Sequence, residues 1–254
     1  MENSLNNRVN REEVFHDRYF NGEAHREEQS RFYEPLSRNI VLSRAIELLR
    51  PAEASRPGEL LHYGCGNNIS LNEIFAVTFG YKVSAIDISS EAINRLLNAL
   101  TARGVAGVEG RQMDAHSLKF PDAHFDVVFG RGILHHLEFE QAAREIHRVL
   151  KPGGVAVFIE PRAENPLISA YRALTPDKRT IDEHPLTEND IDILRRHFSR
   201  VSIANYFLFS LAAISARSFL GTTYGGMLKM TMALDEFLFR RLPFLQKYAW
   251  IALI

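Results

Sequence analysis

An apolar segment that runs directly into a Gly-x-Gly turn is the feature of this chain that most constrains its fold. Residues 60–63 lead into Gly64-Cys65-Gly66, and Asp87 follows Gly66 by 21 positions at the end of a second apolar segment. In α/β proteins such glycines let the backbone approach a ligand, and the carboxylate accepts hydrogen bonds from ribose hydroxyls. The spacing therefore predicts an α/β sheet that binds a nucleoside-containing molecule.

Patterns typical of strands and helices alternate after this turn. Ser70-Leu71-Asn72-Glu73 has the form of a capping box and predicts the first helix. The predicted strands are 60–63, 81–86, 108–113, 125–129 and 155–159, and the next helices are 91–103, begun by Ser89 or Ser90, and 140–150. Alternation at this spacing predicts a doubly wound, mostly parallel sheet.

The last third of the chain departs from this alternation. Thr187 is predicted to begin a helix that ends at residue 198, followed by a sixth strand over 201–207 and an antiparallel seventh strand over 248–254. Residues 210–246 are then an insertion between the last two strands, on the side of the glycine turn. We expect residues 1–50 to form a helical lid, and residues 51–254 to form the α/β domain with the insertion as a helical cap.

Composition excludes several classes of function. The chain has 254 residues, a net charge of −1 and no long run of one charge, so it carries no electrostatic footprint for nucleic acid, and a nucleic-acid substrate is disfavoured. Cys65 is the single cysteine and the first residues carry no basic-then-apolar signal, so a cytoplasmic protein is expected. The apolar run 206–220 contains Arg217 and is too short for a transmembrane helix.

Seven short motifs occur in an order known from one enzyme family. They are Gly64-Cys65-Gly66, Ile86-Asp87-Ile88-Ser89, Asp114-Ala115, Leu118-Lys119-Phe120-Pro121, Phe125-Asp126-Val127-Val128, Leu134-His135-His136-Leu137 and Arg148-Val149-Leu150-Lys151-Pro152-Gly153-Gly154. The set resembles class I S-adenosylmethionine-dependent methyltransferases, in particular the small-molecule group that includes the ubiquinone and menaquinone methyltransferases. The resemblance implies a seven-stranded Rossmann-like sheet, S-adenosylmethionine as cofactor and transfer of its methyl group.

The resemblance also implies roles for individual residues. Gly64, Cys65 and Gly66 would lie under the methionine part of the cofactor, Asp87 and Ile88 at the ribose, Asp114 and Ala115 beside the adenine, and Gly130 and Arg131 on the sulfonium side. In similar enzymes the amino-terminal segment folds over the cofactor, so Tyr33 is the first candidate for a lid residue and Tyr19, toward the substrate, the second. Both tyrosines could instead pack a helix over 38–49 onto the sheet.

The chain departs from the family pattern at two positions. Many relatives carry an acidic residue where this chain has His62, and a third glycine where it has Asn68. Asn tolerates the left-handed backbone conformation, so the turn is expected to keep its path. The acid normally orients the amino-acid end of the cofactor, so the change at His62 predicts weaker binding or a compensating acid elsewhere.

Three side chains are candidates for a general base. His135 and His136 follow the fourth predicted strand and Glu160 follows the fifth, so all three are expected near the transferred methyl group. Adjacent histidines are expected to point in different directions, which leaves one of them a structural role. His184 is interpreted as a packing residue of its loop. No metal site is predicted, because the histidines do not combine with cysteines at a ligand spacing.

The predicted reaction is methyl transfer to an oxygen or carbon of a lipophilic small molecule. An isoprenoid, quinone, polyketide or other specialised metabolite would fit, with cyclisation an option when carbon is methylated. The insertion is rich in Phe, Leu, Met and Ala, and Phe219, Tyr224, Met227 and Met230 are expected over the methyl group. Contact between copies of the chain and peripheral contact with a membrane are two other interpretations of this segment.

Two alternatives come from other classes of function. A cofactor-binding scaffold or partner subunit without turnover would account for His62 and Asn68. An NAD-dependent oxidoreductase is disfavoured, because the glycine turn lacks a third glycine and the block from Leu134 to Gly154 has no role in such an enzyme.

Overall fold

Successive side chains of the first strand lie in two different hydrophobic clusters, one on each face of a central sheet. The computed structural model describes residues 2–21, 40–51, 58–176 and 180–254. Leu60 belongs to one cluster and Leu61 to the other, and both side chains are fully buried. A strand that is apolar on both faces is typical of the interior of a parallel sheet covered by helices.

The sheet has seven strands in the order β3-β2-β1-β4-β5-β7-β6. They are β1 (Glu59–Tyr63), β2 (Lys82–Asp87), β3 (Val108–Gln112), β4 (Phe125–Arg131), β5 (Leu150–Pro161), β6 (Ala204–Tyr206) and β7 (Ile251–Leu253). Strands β1 to β5 are parallel, and β7 is antiparallel to both β5 and β6. The predicted doubly wound, mostly parallel seven-stranded sheet is confirmed.

Ten α-helices lie in the described part of the chain. They are α1 (Glu2–Asn21), α2 (Ile40–Leu48), α3 (Ile69–Glu73), α4 (Ser90–Ala102), α5 (Phe139–Val149), α6 (Pro166–Leu174), α7 (Glu188–His197), α8 (Ser210–Ser215), α9 (Arg217–Leu220) and α10 (Tyr224–Arg241). The capping box at the start of α7 forms as predicted, because Thr187 and Asp190 bond each other's backbone N–H.

The turn between β1 and α3 differs from its prediction. Helix α3 begins after Asn68 rather than at Ser70, because the Asn68 side chain accepts a hydrogen bond from Leu71 N at 3.2 Å. Asn68 has φ −78°, so its backbone is not in the left-handed conformation that the sequence suggested. The presence of asparagine at this position is explained by its side chain, which caps α3. The glycines carry the unusual backbone instead, with φ +67° at Gly64 and +51° at Gly66.

The last two strands are shorter than predicted. Both β6 and β7 consist of three residues, because the ladder between them pairs only Ala204–Tyr206 with Ile251–Leu253. Residues Pro243–Tyr248 before β7 form a 3-10 helix. Hydrogen bonding across the sheet, and not the apolar pattern alone, decides where these strands end.

A buried carboxylate holds the helices of the insertion together. Asp235 on α10 accepts hydrogen bonds from Leu208 N, Phe209 N, Ser210 N and Ser210 Oγ, at 3.1, 2.7, 3.2 and 2.5 Å. These contacts satisfy the amino-terminal N–H groups of α8 and hold α10 against it. Among the described helices, none combines the length and the apolar character needed to cross a membrane.

Candidate functional site

A cavity of about 1100 Å³ opens where the carboxyl ends of β1, β2 and β4 meet. Helix α1 covers one side of it, and the glycine turn after β1 forms its floor. Of the residues predicted from the sequence, those that line it are Tyr19, Gly64, Cys65, Gly66, Asp87, Ile88, Asp114, Ala115, Arg131, His135 and His136. The carboxyl edge of such a sheet is where ligands bind in open α/β folds.

The glycine turn is held in shape by the carboxylate expected at the ribose. Asp87 Oδ2 accepts from Gly66 N at 2.7 Å and Asp87 Oδ1 accepts from Ser89 N at 3.0 Å. Burial raises the pKa of Asp87, and the backbone bonds from Ser89 and Gly66 partly offset this effect. Asp87 therefore stabilises the glycine turn as well as being able to bind a ligand. Its position in the sequence indicated only the second role.

Close packing explains the small residues around this turn. A Cβ on Gly64 would lie 2.6 Å from the Ile133 side chain, and one on Gly66 would lie 3.2 Å from the ring of Phe20. Gly130 is also required by packing, since its Cβ would lie 2.5 Å from the Phe158 ring. Gly130 does not line the cavity in the described structure, in contrast to its neighbour Arg131.

His62 is a neutral, buried residue. Its Nδ1 lies 3.0 Å from Asn72 Oδ1, and its ring packs against the rings of Phe75 and Phe129. Burial, together with the nearby Arg131 guanidinium, lowers the pKa of His62 to about 4, although the hydrogen bond with Asn72 opposes the shift. Arg131, the solvent-accessible last residue of β4, opens onto the cavity, and desolvation there lowers its pKa. The end of the site where many relatives are acidic is therefore neutral to cationic here.

A hydrogen-bond network fixes the loop expected beside an adenine. Tyr63 Oη donates to Ala115 O at 2.6 Å, and the Nδ1 of His116 bonds Asp114 Oδ1 at 2.7 Å. Glu138 N donates to the other ring nitrogen of His116 at 2.8 Å, which ties the loop to the start of α5. Burial would raise the pKa of Asp114, but the bonds from His116 lower it below its usual value.

His135 is oriented by Glu160. The Nδ1 of His135 lies 2.7 Å from Glu160 Oε2, while Glu160 Oε1 accepts from Ile133 N and Leu134 N at 2.9 Å each. Glu160 is fully buried, and all of these bonds point toward the turn after β4 rather than the cavity. The arrangement leaves the Nε2 of His135 as the nitrogen available to a ligand.

His136 faces the same cavity as His135, which differs from the expectation for adjacent residues. The two rings lie 4.2 Å apart in the 3-10 turn Leu134–His136, and His136 contacts Glu12 of α1. The loop of His184 is tied to this turn, because His184 N donates to His135 O at 2.8 Å. Cys65 is a buried thiol whose pKa is raised well above its ordinary value by burial, so it is not a nucleophile.

Sequence reasoning missed most of the contribution of α1. Arg8, Glu12 and His16 line the cavity together with Tyr19, at helical spacings that place them on one face. Arg8 donates to His136 O at 3.0 Å and to Asp182 O at 2.9 Å, and Arg11 makes a two-point contact with Asp182 at 2.7 and 2.8 Å. The i, i+4, i+8 spacing of Arg8, Glu12 and His16 was the sequence pattern that could have placed these residues on one face of a helix.

The insertion contributes other residues than those predicted. Phe219 is 92% exposed and Met230 62% exposed, Met227 is also exposed, and none of the three lines the cavity in the described structure. The Tyr224 ring lies under the Arg217 guanidinium, outside the lining. The residues of the insertion that reach the cavity are Ile214, Ser215 and Arg217. Tyr33 lies outside the described residues.

Residues 61–158 match the family described as methyltransferase domain. A phosphatidylethanolamine N-methyltransferase of Cereibacter sphaeroides is 32% identical over 131 residues, which cover 50% of this chain and 63% of that protein. A ubiquinone/menaquinone biosynthesis C-methyltransferase of Ectopseudomonas mendocina is 42% identical over 94 residues, which cover 35% of this chain and 36% of that protein. The chain thus spans less than two thirds of the length of these relatives.

The fold comparison agrees with the sequence comparison. The structure of phosphoethanolamine N-methyltransferase 2 from Haemonchus contortus superposes with a TM-score of 0.61 at 18% identity, over 84% of this chain and 51% of that chain. Residues 61–158 therefore match a methyltransferase domain in sequence, and the chain has the fold of such an enzyme, as the order of its motifs predicted.

Proposed function

We propose that this protein transfers the methyl group of S-adenosylmethionine to an oxygen or carbon of a lipophilic small molecule. The observation that carries the proposal is the continuity of one cavity of about 1100 Å³, which joins the glycine turn and Asp87 to the His135 and His136 pair. Ligand pockets for a single drug-sized molecule are about 300–1000 Å³, so this space suits a cofactor together with an acceptor.

The residues present fit the cofactor. Gly64 and Gly66 leave the backbone free to approach its methionine part, Asp87 has lone pairs left for ribose hydroxyls, and Asp114 and Ala115 form a fixed wall for the base. Arg131 supplies a cation for the carboxylate end, next to a neutral His62. When bound, S-adenosylmethionine supplies an activated methyl group on a sulfonium ion.

His135 is the base that the geometry supports best for a hydroxyl acceptor. Glu160 orients the imidazole through Nδ1, as a carboxylate orients the histidine of a catalytic triad, and Nε2 is left to take the proton. Glu160 acts through His135 and is a positioning residue in this proposal. A carbon acceptor would need a base only after methyl transfer, when loss of a proton could also complete a cyclisation.

The acceptor is proposed to be lipophilic because part of the cavity lining is apolar. Val9, Phe15 and Phe20 of α1 line the cavity together with Ile168 and Ile214. The two relatives described above are named for phosphatidylethanolamine and for ubiquinone and menaquinone, which are lipids. Both features favour an acceptor with an apolar body.

The first test of the proposal is cofactor binding. Asp87→Asn keeps the size of the side chain but removes the charge that ribose hydroxyls would meet, so calorimetry should show about 10- to 100-fold weaker binding of S-adenosylmethionine, equivalent to about 1.5–3 kcal/mol. Asp192→Asn, on the exposed face of α7, is the matched control and should bind as wild type. Equal affinities in both variants would reject the assignment of Asp87.

The second test is turnover. His135→Ala should reduce methyl transfer from labelled cofactor to a hydroxyl acceptor by about 10²–10⁴-fold without changing cofactor affinity. Acceptors can be sought by mass spectrometry of small molecules that copurify with the protein. Cofactor binding without transfer to any of them would favour the scaffold alternative, and absence of cofactor binding would reject both.

A further inference from the structure

A cluster of metal-ligand side chains forms where α1 crosses the cavity. Glu12 and His16 lie one turn apart on α1, and His136 reaches them from the turn after β4. One ligand atom from each residue lies within 4.8 Å of those of the other two. The cluster shares its cavity with the residues proposed above to hold the cofactor, but none of its three members is among those residues.

The distances in the cluster are close to those of a metal site. Glu12 Oε2 lies 3.1 Å from His136 Nδ1 and 3.4 Å from His16 Nε2. In a tetrahedral site with bonds of about 2.0–2.1 Å, two ligand atoms are about 3.4 Å apart. Only small side-chain adjustments would therefore bring the three atoms around one ion.

Two of the ligand atoms are buried and have no well-directed hydrogen bond. The side chains of Glu12 and His136 are only 8% and 9% exposed. Within the part of the chain that the structure describes, Glu12 Oε2 and His136 Nδ1 lie 3.1 Å apart, but neither atom makes a hydrogen bond of ordinary geometry. Buried polar atoms in native structures are normally satisfied, and a shared cation would satisfy this carboxylate oxygen and this imidazole nitrogen together.

Neighbouring groups orient these ligands from outside. The Thr180 hydroxyl donates to Glu12 Oε1, which leaves Oε2 as the oxygen directed at the cluster. The second ring nitrogen of His136 lies 4.0 Å from Glu183 Oε1, so a shift of about 1 Å would let this carboxylate accept a hydrogen bond and orient a metal-bound imidazole. A second grouping, His135, His136 and Glu183, is weaker because Glu160 already bonds His135 and Arg172 pairs with Glu183.

We propose that Glu12, His16 and His136 bind a divalent transition-metal ion of the Zn²⁺ type, with a fourth coordination position toward the cavity. Two imidazoles and one carboxylate favour such an ion over Mg²⁺ or Ca²⁺, which prefer oxygen ligands. The proposal goes beyond methyl transfer and opposes the sequence-based expectation of no metal. That expectation considered spacing along the chain, whereas α1 and the His136 turn meet only in the folded structure.

Metal binding to the full chain tests the proposal without any methyl-transfer assay. After treatment with a chelator, the protein should bind one Zn²⁺ per chain in competition with a chromophoric chelator, and Co²⁺ should give visible absorption typical of a low-coordinate N/O site. Glu12→Gln and His16→Gln should each weaken binding at least about tenfold. Glu13→Gln is the matched control, because Glu13 lies on the same helix but bonds Gln112.

The outcomes separate this proposal from the proposed function. Absence of stoichiometric Zn²⁺ binding by the wild-type chain, or equal Zn²⁺ affinity in Glu12→Gln, His16→Gln and Glu13→Gln, would overturn it. If Glu12→Gln does not fold by circular dichroism, the partly exposed His16→Gln decides. S-adenosylmethionine affinity, measured on Glu12→Gln and Glu13→Gln, should stay near that of wild type, so loss of the metal would not be mistaken for loss of the cofactor. His16→Gln is left out of this comparison, because the charge of His16 acts on Asp87.

Discussion

Helix α1 and the insertion over 210–246 were both expected to cover the site, and the structure uses them very differently. Among the described residues, α1 contributes seven side chains to the cavity lining and the insertion three. Yet α1 is mostly polar, whereas the insertion is rich in apolar residues. An apolar composition indicates that a segment packs against another surface, but it does not indicate which surface.

Polar anchors decide where each segment lies. Arg8 and Arg11 attach α1 to the backbone and side chain of Asp182, and Asp17 accepts from the hydroxyl of Ser89 at the start of α4. In the insertion, the buried Asp235 holds α10 to the start of α8, while Phe219 and Phe237 remain exposed. Directional bonds of this kind fix an orientation that hydrophobic contact alone leaves open.

Removing α1 should have the largest effect. A chain without residues 2–21 loses one wall of the cavity, so turnover should fall by about 10³-fold or more, because the acceptor is no longer held in line or shielded from water. The sheet should still fold, since its two core clusters lie outside α1. Turnover of the shortened chain and of Val14→Ser, an exposed site on α1, can be compared in one assay. Equal rates would contradict the role given to α1.

Asp235→Ala should destabilise the fold without harming the cofactor site. Four donors would lose a buried charged acceptor, so the free energy of unfolding should fall by about 3–4 kcal/mol in urea titrations. Asp192→Ala, which removes an exposed carboxylate, should change it by less than about 0.5 kcal/mol. A large loss of cofactor affinity in folded Asp235→Ala would show that the insertion shapes the site more than its contacts indicate.

The third prediction concerns pH and the sheet beneath α1. Burial lowers the pKa of His62 from 6.5 to about 4, so between these values the unfolded chain takes up a proton that the folded chain does not. Stability should therefore be full above pH 6.5 and should fall by about 3 kcal/mol as the pH drops toward 4.

His62→Asn tests this pH dependence, because it keeps a donor for Asn72 and removes the titrating ring. The variant should lose that part of the pH dependence of unfolding, while His147→Asn, at an exposed position on α5, should retain it. The effect should persist in the chain without α1, because the imidazole packs against Phe129 of β4 and against Phe75 in the helical turn after α3. If the pH dependence of unfolding disappeared in the chain without α1, then α1, and not the sheet, would be what shields His62 from water.

The smallest effect is expected on the outer face of the insertion. Replacing Phe219, Met230 and Phe237 together by Ser should leave turnover and cofactor affinity within about twofold of wild type, because these side chains are exposed. A tenfold loss of turnover would instead support the prediction that the insertion caps the methyl group. Molar mass and binding to anionic lipid vesicles, measured on the same protein, distinguish contact between copies from contact with a membrane.

Most features of the fold that depend on residues close together in the chain were predicted correctly, and most features that depend on distant residues were not. The glycine turn, Asp87 and the strand-helix alternation depend on backbone geometry within about 30 residues, and they appeared as periodic patterns. The cap at Asn68 was misassigned to Ser70, because both residues can bond the first N–H groups of α3 and only the backbone path decides between them. The short β6 and β7 could not be predicted, since their ends depend on pairing with each other.

By itself, the sequence determined the class of sheet, the position of the glycine turn and the methyltransferase domain, because local periodicity and turn chemistry suffice for these. Tertiary structure alone decided that His135 is oriented by Glu160, that Glu12 and His16 meet His136, and that Phe219 and Met230 face outward. These arrangements join residues far apart in the chain, and no spacing along the sequence encodes which directional bonds form when α1 and the insertion pack on the sheet.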